Sequence, residues 1–159
     1  MKPNKVYLVL TEGAKNEDAE SVEKYIKEKV SHTVGTTEVA GLAASVMGAV
    51  YCSLKNMGIE LNGIRLTQLE ENFAKKFNIK KEAEEINKHN LLRVSHVALT
   101  ALIKKIEEKT KNISPTEKVT LQSIIQHIEK LQEAISKNLQ EKSSFPVSIR
   151  GEERNKTLS

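Results

Sequence analysis

The pattern of hydrophobic and polar positions arranges this chain around one charge-free stretch. Residues 39–54, VAGLAASVMGAVYCSL, contain no charged side chain, although Lys and Glu are frequent on both sides. At helical spacing the stretch has two adjacent stripes of small residues, and larger apolar side chains cover the rest. A helix that is apolar on all sides belongs in the centre of a bundle or in a membrane. We therefore predict a central helix over residues 38–57, with Thr36 or Thr37 as its N-cap and Gly58 as its stop.

Apolar positions at helical spacing predict further helices on either side of this one. The first runs from about residue 16 to residue 30, with acidic residues near its start and lysines near its end, as the helix dipole favours. Thr67 to Glu70 form a capping-box pattern that opens a short helix. Residues 81 to about 111 are predicted to form one long helix. Together with a last helix near the C-terminus, the predicted bundle has about five helices.

Two segments have sequence patterns that are typical of β-strands. Residues 5–11, KVYLVLT, are rich in β-branched and aromatic types and predict a short strand or an extended lead-in. Residues 59–66, IELNGIRL, place Asn62-Gly63 between alternating apolar residues, which is the pattern of a tight hairpin. The alternative is a helix-to-helix loop with glycine at the turn. The expected fold is a mainly α single-domain bundle with these two small β elements.

The last helix has the clearest start in the chain. Ser114-Pro115-Thr116-Glu117 offers an N-cap hydroxyl, a proline at the first helical position and a glutamate that closes a capping box. The 114–142 helix then carries an aliphatic seam made of Leu121, Ile124, Ile128, Leu131 and Ile135. The seam resembles a coiled-coil stripe, so it either binds a partner or packs into the chain's own bundle. Its length, under three heptads, favours the bundle.

Composition limits the class of protein. The chain has 159 residues, enough for one domain over residues 1–142, followed by a predicted mobile tail over 143–159. The net charge is +4, and no segment concentrates it into a basic arm. The single cysteine cannot form an intramolecular disulfide, which suits a reducing compartment. The apolar run near the start is too short for the core of a signal peptide. Residues 39–54 are shorter than the roughly 20 residues that span a bilayer. We expect a cytoplasmic protein without a stable membrane span.

Signatures of catalysis and metal binding are missing from the sequence. Cys52 lies in the apolar helix, where burial would make its thiol inert. His89 and His96 are seven positions apart, which is poor spacing for a metal pair, and Asp18 is the one aspartate in the chain. The sequence has no Walker loop, GxGxxG or CxxC motif. We expect neither catalytic residues nor a metal or cofactor, and we predict that the protein is not an enzyme.

A basic cluster supplies the alternative function. Lys75, Lys76, Lys80 and Lys81 lie at the junction of two predicted helices, where they could contact phosphates. Acidic neighbours dilute the cluster, so a small nucleic-acid-binding regulator is the second hypothesis. The first is a non-enzymatic protein-interaction module, either an adaptor, a chaperone-like protein or a secreted bacterial effector. It would use the 114–142 helix to bind another protein or a second copy of itself.

The C-terminal segment adds one resemblance. Glu152-Glu153 followed by polar residues, with Leu158 next to the end, resembles the C-terminal export signals of bacterial type IV secretion effectors. It covers under a tenth of the chain. The resemblance implies export by this signal as an alternative to a purely cytoplasmic location.

Overall fold

The computed structural model describes residues 3–74 and 86–147, with side chains over 5–72 and 86–140. Six α-helices account for most of these residues, and none of them lies in a strand. In chain order the helices are α1 (Pro3–Lys15), α2 (Ala19–Ser31), α3 (Gly35–Asn56), α4 (Gln68–Ala74), α5 (Lys88–Lys109) and α6 (Pro115–Val147). The prediction of a mainly helical bundle is confirmed.

Two helices of equal length, α3 and α5, form the centre of the bundle. Helix α3 packs against every other helix, and α5 packs against α1, α2, α3 and α6. On α3 the buried residues fall on all sides, including Ser45, Gly48 and Ser53. Because a charge there would have to be desolvated without a partner, the charge-free stretch of the sequence coincides with the most enclosed helix.

The two ends of α3 differ in how well the sequence predicted them. Val34 is the N-cap residue and forms no side-chain capping bond, so the predicted threonine caps are wrong. Glu38 Oε1 accepts from Val34 N at 3.0 Å, while Thr36 Oγ1 donates to a carboxylate of α6. At the other end the predicted stop is confirmed. Gly58 has φ +77°, and the bonds Gly58 N to Lys55 O and Ile59 N to Leu54 O complete a Schellman motif.

The predicted N-terminal strand over residues 5–11 is wrong, since this segment lies within α1. Val6, Tyr7, Leu10 and Ala14 are at most 1% exposed, and their spacing follows one face of a helix. That face packs against α3 and α5. The β preference of valine and tyrosine amounts to well under 1 kcal/mol per residue and is overcome by this burial.

The predicted hairpin over residues 59–66 is also absent. The chain turns between Leu61 and Ile64, with Ile64 N donating to Leu61 O at 3.4 Å. Gly63 has φ +82°, whereas Asn62 has no positive φ, so the turn is not the type I′ turn that a two-residue hairpin needs. Ile59 and Leu61 are instead 8% and 6% exposed in the core of the bundle. The alternative, a helix-to-helix loop with glycine at the turn, is the one observed.

Helix α6 begins as its sequence predicts. Ser114 Oγ accepts from Glu117 N at 3.3 Å, and Glu117 Oε1 accepts from Ser114 N and Oγ at 3.4 and 3.0 Å. The helix continues to Val147, past the predicted domain boundary at residue 142. Its 33 residues correspond to about 50 Å, against about 33 Å for the 22 residues of α3.

Candidate functional site

The structure places the predicted seam of α6 mainly inside the bundle. Leu121 is 2% exposed, and Ile128, Leu131 and Ile135 are fully buried where α6 packs against α3 and α5. Ile124 is the one seam residue with partial exposure. Four of the five predicted contact residues therefore belong to the core, and any partner of α6 has to meet the flank that begins at Ile124.

That flank of α6 forms one wall of a groove, which we call the α3–α4–α6 groove. Its volume is about 450 Å³. Alanines of α3, together with Met47, form the floor, and α4 forms the wall opposite α6. The lining includes Ala40, Ala44, Leu69, Ile124, His127 and Lys130. The small-residue stripe noted in the sequence thus lies partly under this groove. Side chains without bulk on the floor leave space between α4 and α6.

A buried carboxylate connects the two walls of the groove. Glu70 is 4% exposed, and its Oε1 accepts from Thr67 N at 3.0 Å and from His127 Nε2 at 2.9 Å. Thr67 Oγ1 in turn accepts from Glu70 N at 3.2 Å, which completes the capping box predicted for α4. The same glutamate therefore caps the N-terminus of α4 and holds α4 against α6.

Apolar and charged groups at the rim remain open to contact. Leu69 is 47% exposed, which makes it one of four large apolar side chains with substantial exposure among the described residues. Ile124 lies on the opposite wall. The structure shows no carboxylate partner for Lys130 among the residues it describes. The groove thus offers two apolar edges and a lysine that forms no ion pair within the described part of the chain.

The Glu70–His127 pair has the form of half a catalytic triad, in which a buried carboxylate orients an imidazole. Ser123 lines the same groove, but no hydroxyl is hydrogen-bonded to His127 within the described ranges. Among these residues there is also no group of three or more His, Cys, Asp or Glu side chains that could hold a metal ion. Burial raises the pKa of the Cys52 thiol, which lowers the fraction of reactive thiolate.

The capping-box pattern predicted Glu70 as a capping residue but did not indicate His127 as its partner. The two residues are 57 positions apart, and no local pattern signals such a pair. The predicted basic cluster of Lys75, Lys76, Lys80 and Lys81 lies outside the described residues. The residues of the proposed export signal, Glu152, Glu153 and Leu158, lie outside them as well. Both hypotheses stay predictions of the sequence.

One helix in the described part of the chain, Gly35–Asn56, is long and apolar enough to cross a membrane. In the bundle, 67% of its most apolar stretch is buried, as in the core helix of a soluble protein.

Comparisons of the chain with protein-family models, with curated proteins and with solved structures found no match. The geometry of the described residues is therefore the basis for the functional proposal.

Proposed function

We propose that this protein is a non-enzymatic interaction module that docks an amphipathic helix of another protein in the α3–α4–α6 groove. The observation that carries the proposal is the half-exposed Leu69, which faces the groove together with Ile124. This interpretation keeps the predicted binding role of α6 but moves it from the buried seam to the adjacent flank.

The shape of the groove supports a helical occupant. Ala40 and Ala44 are one turn apart on α3 and have the smallest apolar side chains, so a partner helix could approach the floor closely. An amphipathic helix would place apolar residues at i, i+3 and i+4 against Leu69 and Ile124. Anchors of this kind, buried at the centre of a contact, account for most of the affinity of protein interfaces.

The charges of the groove indicate what else the partner should carry. Glu70 is already engaged by His127 and Thr67 N, so it offers little to an incoming cation. Lys130, in contrast, lies at the edge of the groove with no carboxylate partner among the described residues. We expect an acidic residue on the polar side of the partner helix to pair with Lys130. An exposed pair of this kind contributes more to orientation and association rate than to affinity.

Site-specific photo-crosslinking in cells that produce the protein tests the proposal. A photoreactive amino acid would replace Ile124 at the groove and, as the matched control, Val119, which is 66% exposed on the same helix. We expect one protein to be captured at position 124 and not at position 119. The purified partner should then bind the unmodified chain and lose more than tenfold in affinity with Leu69→Glu, while Val119→Glu leaves the affinity unchanged.

Two results would contradict the proposal. The first is equal affinity of the captured partner for the Leu69→Glu variant and the unmodified chain, provided that both are folded by circular dichroism. The second is a dimer in light scattering that Leu69→Glu converts to a monomer, because the groove would then serve self-association. A triple alanine variant at Lys75, Lys76 and Lys80 tests the alternative function, which predicts salt-dependent binding of DNA or RNA that this variant loses.

A further inference from the structure

A second groove continues from the α3–α4–α6 groove along helix α6. This α6–loop groove has a volume of about 540 Å³ and lies between α6 and residues 60–64 of the loop that follows α3. Lys130 lines both grooves. The α6 residues of the second groove recur every three or four positions, at 130, 133, 134, 137 and 138, so they share one flank of the helix. The two grooves therefore run end to end along the same flank of α6.

The loop that forms the opposite wall of the α6–loop groove is fixed to the bundle. Ile59 and Leu61 anchor it in the core, where both are buried. Asn138 Nδ2 on α6 donates to Glu60 O at 3.3 Å, across the groove. Because these contacts already hold the loop beside α6, a partner would not have to order it on binding.

Charged side chains of alternating sign line the α6–loop groove. Lys130, Glu133 and Lys137 follow one another at intervals of three and four positions on α6, and all three are exposed. None of them forms an ion pair with a residue that the structure describes. Glu60 adds an acidic group on the loop wall. The α6 wall therefore presents a positive, a negative and a positive charge in sequence.

The first groove alone is short for a stable contact with a partner helix. Its α6 residues lie within positions 123–130, a length of about 10 Å or two helical turns. Specific interfaces bury roughly 800 Å² on each partner, and only part of the surface of a two-turn helix can face the groove. With the α6–loop groove included, the flank extends from position 123 to position 138, about 22 Å or four turns. The second groove thus doubles the length available for contact.

We propose that the partner helix of the α3–α4–α6 groove continues into the α6–loop groove and is recognised there by its charges. This inference rests on the proposed function, because it concerns the same partner. The apolar half of the helix would lie against Leu69 and Ile124. The polar half would carry an acidic, a basic and an acidic residue at intervals of three and four positions, opposite Lys130, Glu133 and Lys137. A helix with the opposite signs would be rejected by like-charge repulsion.

Photo-crosslinking at a second position of α6 tests whether one helix spans both grooves. The photoreactive amino acid would replace Lys137 and, as the matched control, Lys118, an exposed lysine of α6 that lines neither groove. We expect position 137 to capture the same protein as position 124, and position 118 to capture none. Mass spectrometry should place the two attachment points on one segment of that protein, about three to four helical turns apart.

Charge reversal then measures the recognition with the purified partner. Lys137→Glu should weaken binding about three- to tenfold at low salt, and the loss should shrink at about 0.5 M NaCl because salt screens exposed charges. Lys118→Glu should leave the affinity unchanged. Reversing the acidic residue of the partner that crosslinks near position 137 to lysine should restore its affinity for Lys137→Glu. Circular dichroism first has to show that each variant is folded.

Several outcomes would overturn the proposal. Capture at position 124 without capture at position 137 would confine the partner to the α3–α4–α6 groove and leave the proposed function standing. Equal affinity of the partner for Lys137→Glu and Lys118→Glu would remove the charge recognition. Different proteins captured at positions 124 and 137 would show that the two grooves serve separate partners. Absence of capture at position 124 would refute the proposed function, and this inference with it.

Discussion

Helices α3 and α6 belong to the same bundle but are stabilised in different ways. Helix α3 begins without a side-chain capping bond and is enclosed by its neighbours. Helix α6 begins with a complete capping box at Ser114 and Glu117 and buries one stripe against α3 and α5. Burial on all sides is the main feature that positions α3, with one backbone-to-Glu38 bond at its start and a Schellman motif at its end. In α6, local hydrogen bonds set the start and a narrow apolar stripe sets the orientation.

The difference bears directly on where a partner can bind. A helix enclosed on most sides, such as α3, has little surface to offer, and its contribution to the α3–α4–α6 groove is three alanines and Met47. Helix α6 has a buried stripe and exposed flanks, but the stripe is occupied by the bundle itself. Side chains cannot pack in the core and contact a partner at the same time, so the interaction surface of α6 has to lie on its flank.

The largest expected effect concerns the stripe of α6. Ile128 is fully buried, so Ile128→Ala should lower the free energy of unfolding by about 2–5 kcal/mol through lost burial and a residual cavity. Val119→Ala, at a 66% exposed position of the same helix, should change it by less than about 0.5 kcal/mol. Urea denaturation measures both. If Ile128→Ala kept its stability and instead altered the mass in light scattering, the stripe would be an interface.

The second prediction probes how tightly α3 is enclosed. Gly48 is buried on α3, and Gly48→Leu should lower the free energy of unfolding by about 1–3 kcal/mol because the added side chain has to displace its neighbours. Gly41 provides the matched control on the same helix, since a Cβ atom there meets nothing within 4 Å. Gly41→Ala should be neutral or stabilising by up to about 1 kcal/mol. An unchanged melting temperature in Gly48→Leu would refute the central position of α3.

Signals that act over a few residues made part of this fold predictable. The capping boxes at Thr67 and Ser114 and the stop at Gly58 each depend on groups within five positions, and all three are observed. The charge-free stretch similarly identified the enclosed helix. Local geometry is sufficient in these cases because the bonds close within one or two helical turns.

Features that depend on distant residues were not predictable in this way. The bond from His127 to Glu70 spans 57 positions, and the bond from Thr36 to Glu117 spans 81. The candidate site was missed for the same reason, because its walls come from three separate helices. In residues 5–11 the β preference of the side chains predicted a strand, whereas contacts with the core of the bundle stabilise these residues as part of helix α1.

The third prediction sharpens the contrast at the helix starts. Ser114→Ala removes the hydroxyl that accepts from Glu117 N and should lower the free energy of unfolding by about 1 kcal/mol. Thr37→Ala, at an exposed position in the first turn of α3, should change it by less than about 0.5 kcal/mol. Urea denaturation again gives the two values. Equal losses in the two variants would contradict the finding that Val34, and not Thr37, is the N-cap of α3.

The smallest effect is a dependence on pH that arises from Glu117. Hydrogen bonds from the Ser114 hydroxyl, then from Thr36 and from the Ser114 backbone, hold the pKa of this exposed carboxyl below its ordinary value. The unfolded chain therefore binds the proton more readily than the folded one. The stabilisation is complete above the ordinary value of about 4.3 and is lost as the pH falls through the lower folded value.

Melting temperatures of the unmodified chain and of Glu117→Gln between pH 6 and pH 3 measure this contribution. The amide keeps an acceptor for Ser114 and Thr36 but has no charge that titrates. We expect the unmodified chain to melt at the higher temperature at pH 6 and the difference to shrink as the pH approaches 3. A difference that stays constant over this range would show that the charge of Glu117 contributes nothing. The capping box would then stabilise α6 through the geometry of its hydrogen bonds alone, as the Schellman motif does at the end of α3.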